Sequence, residues 1–171
     1  MSQAKLNFSR AEFEQRLLKT RQEMQRRRID LLIVSDPSNM NWLTGYDGWS
    51  FYVHQCVILP LDGSPIWYGR GQDAKGALRT CFMDPSDIIG YPDHYVQSSE
   101  RHPMSYLAAQ LTDRGLAKGR IAVEMDNYWF SAAAYMTLHA KLPNSRFTDA
   151  TGLVNWQRTV KLEAELALMR Q

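Results

Sequence analysis

Cysteine is scarce in this chain, and the scarcity is informative. Two cysteines among 171 residues, Cys56 and Cys81, give neither a disulfide framework nor a metal-ligand spacing. They fit a reducing, cytoplasmic compartment and small core positions. An excess of charge of either sign is also missing. Twenty basic residues face 18 acidic ones, for a net charge of +2, and the basic residues are scattered apart from Arg26, Arg27 and Arg28. That triplet sits where a helix should end, and cations are favoured there, so no nucleic-acid partner is implied. No apolar run reaches the roughly 18 residues of a membrane span, and the start MSQAKLNFSRAEF has no signal-peptide core. A soluble, unexported protein without a membrane partner is expected.

Motifs of self-sufficient catalysis are absent as well. His54, His94, His102 and His139 show no His-x-His or His-Glu-x-x-His spacing, which argues against an independent metal site. Gly48-Trp49-Ser50-Phe51 lacks the second glycine of a nucleophile elbow. Gly69-Arg70-Gly71 does not continue to a phosphate cradle, because position 74 is Ala74. Glu12 with Glu14, and Glu163 with Glu165, read as solvated helix faces. By itself the chain is expected to catalyse nothing.

What is present is ample for one globular domain. At 44% hydrophobic residues the chain can bury a substantial core. Ser9-Arg10-Ala11-Glu12 is a capping box opening a helix to about Arg28, with Phe13, Leu17 and Met24 on one stripe. Leu31–Val34 reads as a buried strand, and Pro37 to Gly45 as a short helix. Val53–Pro60 and Pro65–Tyr68 flank Leu61-Asp62-Gly63-Ser64 and predict an antiparallel hairpin. Helices follow over 72–80, 103–114 and 131–142, the last holding His139, and strands over 88–91, 120–124 and 147–148. This alternation predicts an α/β fold, a mixed sheet of five to six strands with helices on both faces. Beyond Leu153 the run from Leu162 to Gln171 is a strong helix former without a terminating Gly, Asn or Pro, which suggests a helix cut part-way. Domains over 1–155 and 156–171 are therefore expected, the second being the start of a further unit.

The densest chemistry lies between Ser38 and Gln55, SNMNWLTGYDGWSFYVHQ, where Gly45, Asp47, Gly48 and Ser50 break any strand or helix period. The segment reads as a shaped loop entering a strand. There, alternation would place Tyr52 and His54 on one face and Phe51 and Val53 on the other. Trp49 and Phe51 can equally be core, and His54 equally a structural hydrogen-bonding group. Arg70 offers a bidentate fork for a carboxylate, or a pair with Asp73, or a helix cap. The segment Tyr91 to Pro103, YPDHYVQSSERHP, reads as an irregular loop whose Asp93-His94 and Arg101-His102 pairs belong to a dimer contact, shape the entrance of a site, or simply connect.

SNMNWLTGY followed by a Phe-Tyr pair and a hydrophobic strand resembles the amino-terminal domain of the creatinase and Xaa-Pro dipeptidase family, hydrolases with a carboxy-terminal pita-bread metal domain. YDGWSFYVHQ, WYGRGQDA and IIGYPDHYVQSSERHP resemble its ectoine-hydrolysing branch. The resemblance covers nearly the whole chain. It implies a creatinase/prolidase-type fold with a ribonuclease H-like motif, divalent metal ions bound by two Asp, one His and two Glu in a later domain, and a homodimer. In such a dimer this domain lids the partner subunit's active site. Residues implied to touch a small-molecule or dipeptide substrate are Trp49, Phe51, Tyr52, His54 and Arg70. The same resemblance admits a non-enzymatic reading, because the fold also serves as a protein-interaction platform in histone-chaperone subunits.

Overall fold

The computed structural model of the protein describes residues 6–170. Six strands form one mixed sheet in the order β4-β3-β2-β1-β5-β6, with β1 Leu31–Val34, β2 Cys56–Pro60, β3 Ile66–Arg70, β4 Ile88–Tyr91, β5 Gly119–Val123 and β6 Ser145–Asp149. β1 pairs antiparallel with β2, and β2 with β3; the β1–β5, β3–β4 and β5–β6 pairs are parallel. The expected α/β class and strand count are both found, and β6 is longer than its two-residue sequence signal.

Period-two alternation divides the strands between two cores. Leu32, Val34, Val57, Leu59, Trp67 and Ala122 face one side of the sheet. There they meet helices α1 Arg10–Arg27, α2 Pro37–Thr44, α3 Gly71–Thr80 and α6 Leu153–Thr159. Leu31, Ile33, Cys56, Ile58, Tyr68, Ile121 and Val123 face the other, against α4 Pro103–Asp113 and α5 Ala132–Lys141. All four residues of β1 are no more than 1% exposed, so each contributes roughly 1.5–3 kcal/mol by burial. An unbroken aliphatic run is what a strand covered on both faces requires.

Helix α1 starts at the expected Ser9 cap, but only half of the capping box forms. The Ser9 hydroxyl accepts from the Glu12 amide, as in a capping box, but the Glu12 carboxylate turns instead to Arg16 Nε at 3.3 Å. Arg16 lies within the apolar stripe yet is only 2% exposed. Its guanidinium donates to the Trp42 carbonyl, lies 3.5 Å from Glu165, and stacks on the Phe8 ring at 4.1 Å. Glu165 belongs to the last helix, α7 Glu163–Met169, and also accepts from Trp42 Nε1 at 2.9 Å. The helix expected to open a further unit is thus tied back to α1 and α2. The expected division between residues 155 and 156 falls inside α6, which no short-range sequence signal announced.

Gly45 ends α2 in the left-handed region (φ 83°), and a Cβ there would stand 2.8 Å from the Thr80 carbonyl oxygen. Gly45→Ala is therefore expected to cost about 2–4 kcal/mol, whereas Gly76→Ala, helical and open, should stabilise by about 0.5–1 kcal/mol. Urea unfolding of the two variants checks both signs.

Candidate functional site

The hairpin strand β2 begins at Cys56, so Trp49 to Gln55 precede it as irregular chain rather than as the strand entry expected from alternation. The reason is local. The Ser50 hydroxyl accepts from the Val53 amide at 3.2 Å, which bends the chain. Gly48 lies so close to the Tyr46 ring that a Cβ would stand 2.6 Å from its hydroxyl oxygen. Tyr46 itself is buried against Trp67, with ring centroids 5.0 Å apart.

The outcome is a run of aromatics held out in solvent. Trp49 is 55% exposed, Phe51 73% and Tyr52 61%, which removes the core alternative for Trp49 and Phe51. Trp49 and Phe51 meet edge to face at 4.4 Å. Val53 alone of the segment's apolar residues is driven inward, at 8% exposure. Trp49 also borders a 340 Å³ depression with Asp47 and Asp73, whose carboxylate accepts from Gln55 Nε2 at 2.8 Å.

His54 is half-buried and lines a second cavity of about 200 Å³ together with Tyr52, Tyr91, Arg101 and His102. The opposite wall is the chain from Tyr95 to Pro103, irregular as its composition suggested, with a short 3-10 turn (Asp93–Tyr95) at its start and a left-handed Gln97 (φ 50°). Pro103 is fixed because its carbonyl accepts from the Tyr68 hydroxyl. The His54 and His102 rings lie 4.8 Å apart. Burial first, and the neighbouring His102 second, pull His54 down to about 4, and burial lowers His102 as well. At neutral pH both imidazoles are uncharged, so neither supplies a cation.

Arg70 stands at the carboxyl end of β3, but its fork is occupied. Nε and Nη2 bind the two oxygens of Asp93 at 2.8 and 3.0 Å, rather than Asp73, which raises the guanidinium pKa and lowers that of the carboxylate. The pair is at the surface, and another carboxylate takes the bidentate Nε and Nη2 edge of Arg70 only by displacing Asp93. Tyr52 and His54 thus line one cavity, Trp49 and Phe51 pack on each other outside its lining, and Arg70 stands paired with Asp93. His139, on α5, is exposed, with its ring 5.8 Å from those of Tyr135 and Phe147, and lines none of these cavities. Arg101 and His102 were visible in the sequence only as members of a polar loop; their convergence with His54 needed the register of β3 with β4. Among the described residues no three His, Cys, Asp or Glu side chains converge to hold a metal ion, and no step of metal chemistry is assigned to them. No helix among these residues is long and apolar enough to cross a membrane.

The profile of the Creatinase/Prolidase N-terminal domain family matches residues 16–160. The chain belongs to this family. It is 60% identical over 171 residues to the ectoine hydrolase of Halomonas elongata, covering 99% of this chain and 43% of that protein. A hydrolase/peptidase of Sinorhizobium fredii is 43% identical over 97% of this chain and 43% of its own. The domain therefore spans less than half the length of these relatives. Among solved structures, a proline dipeptidase from Streptococcus pneumoniae superposes with a TM-score of 0.69 at 22% identity, covering 85% of this chain and 98% of that one. The Xaa-Pro dipeptidase from Bacillus anthracis gives 0.72 at 13% identity, over 92% and 39%. These two likenesses establish the fold of the domain.

The lowered histidines make stability depend on pH with a definite sign. An imidazole whose pKa is about 4 when folded and 6.5 ordinarily takes up a proton on unfolding between those values. Its stabilising contribution is complete above about pH 6.5 and is lost as pH falls toward 4. Urea midpoints measured across this window should fall with pH, and His54→Gln should flatten the slope by up to about 1.4 kcal/mol per pH unit.

Proposed function

We propose that this domain is the non-catalytic, substrate-shaping part of a metal-dependent C–N bond hydrolase of the ectoine hydrolase type, acting in the cytoplasm as a homodimer. Its aromatic segment faces the active site of the partner subunit, and divalent metal ions sit in a separate catalytic domain. The observation that carries this reading is the exposure of Trp49, Phe51 and Tyr52 on chain clamped by Ser50, Gly48 and buried Tyr46. Three adjacent large aromatics in water form a patch that soluble domains ordinarily avoid unless it meets a partner or ligand. The 60% identity to ectoine hydrolase supports the substrate class. A cyclic amidinium on the face of Tyr52 or Trp49 gains roughly 0.5–2 kcal/mol by cation-π attraction, and the uncharged His54 leaves that cation unrepelled. Two buried free cysteines suit a reducing compartment.

The test is turnover of ectoine, and separately of a Gly-Pro dipeptide, by the whole protein with and without divalent metal. Tyr52→Ala is expected to lower kcat/KM for ectoine by about ten- to a hundredfold while the 171-residue chain alone releases no product. Full activity in both Tyr52→Ala and His54→Ala would contradict the reading. An aromatic patch of this size also suits a protein-docking role, the interaction-platform alternative. Absence of turnover by the whole protein on either substrate would favour it.

A further inference from the structure

The cavity between Tyr52–His54 and Val96–Pro103 has a polarity of its own. No Asp or Glu lines it, and its one ionised side chain is Arg101. Arg101 has only a single-atom contact to the adjacent Glu100, at 3.4 Å, whereas the Nε and Nη2 edge of Arg70 is taken by Asp93. His102 contributes a fixed donor. Its Nδ1 accepts from the Met104 amide at 3.1 Å, so in the uncharged ring the proton must reside on Nε2. That same residue caps the amino terminus of the eleven-residue α4, placing the positive end of a helix dipole at the cavity wall. Tyr91 supplies the decisive observation. It is 0% exposed and lines the cavity, and its hydroxyl, close to the His54 main chain, makes no hydrogen bond of ordinary geometry. A buried donor left unpaired costs about 1–3 kcal/mol and is the mark of a place where a ligand atom belongs.

We propose that this cavity is a carboxylate-binding subsite in which the Arg101 guanidinium, the His102 Nε2–H and the Tyr91 hydroxyl receive the carboxylate of a small molecule. Resting on the reading that this surface faces substrate, the assignment gives the carboxylate to Arg101 rather than to Arg70 and leaves the exposed aromatics for the cationic part of the same molecule. A volume of about 200 Å³, roughly seven waters' share of liquid, admits a carboxylate and a few carbons but no polymer. Carboxylate is an acceptor without donors, which matches a wall made of donors.

Imidazole resonances of His54 and His102 in the 171-residue chain provide the test, independent of any catalytic domain. Titration with acetate should shift both with a millimolar Kd, and methylammonium should shift neither. Arg101→Gln should weaken acetate about tenfold or more, Arg101→Lys less, and Tyr91→Phe severalfold, with the remaining spectrum unchanged. Absence of an acetate shift, or a shift untouched by Arg101→Gln but abolished by Arg70→Gln, overturns the subsite. Because the readout is binding, failure of ectoine turnover in the whole protein would count against the proposed function and leave this subsite standing.

Discussion

One buried carboxylate holds the frame on which the candidate site is built. Glu124, 3% exposed at the carboxyl end of β5, accepts from the Ser35 and Asp36 amides at 2.7 and 2.9 Å, and from the side-chain amides of Asn39 and Asn127. Burial raises its pKa while these donors oppose the rise. Any carboxylate taken out of water needs such a shell, and here it consists of the turn that converts β1 into α2. Asn39 extends the network to α6, donating to Asn155 and accepting from Arg158. The polar contacts thus join β5, β1, α2 and α6, elements that the aliphatic core alone would leave free to slide.

From that fixed turn the geometry of the site follows. α2 runs for eight residues to Gly45, whose left-handed conformation sends the chain out over Thr80 and into the aromatic segment. The parallel β3–β4 pair brings Arg70 opposite Tyr91, so the ends of two strands and the loops leaving them share one rim. Tyr68 locks Pro103 from within the core, and the loop between Tyr95 and Pro103 closes the cavity against His54. Rigid backbone beneath exposed side chains is the arrangement that preorganises a binding surface, since little ordering remains to be done when a ligand arrives.

Much of the frame was legible in the residues. The hydrophobic period of Leu31–Val34, the Gly-containing hairpin loop and the alternation of strands with helices led to the observed sheet and layers, because local pattern and tertiary demand agree there. α6 was missed because it is seven residues long and carries no side-chain cap. The pairing of Arg16 with Glu165 was hidden because it links the first helix to the last, and a charged residue in an apolar stripe reads as exposed unless its distant partner is known. The aromatic segment was read as a loop entering a strand, with Phe51 and Tyr52 alternating at its entry; Ser50 instead bends the chain, and the strand begins only at Cys56. Arg70 carried the right chemistry for a carboxylate, yet Asp93 occupies it across a loop whose fold no sequence spacing reveals.

The central claim is that the aromatic segment and the Tyr95–Pro103 loop act on one ligand. A double-mutant cycle on kcat/KM for ectoine in the whole protein, combining Tyr52→Phe with Arg101→Gln, addresses it most directly. Residues that hold two ends of one molecule should be coupled, with an interaction energy of about 0.5–3 kcal/mol. Effects that add to within about 0.3–0.5 kcal/mol would show that the two walls serve separate purposes and contradict the account.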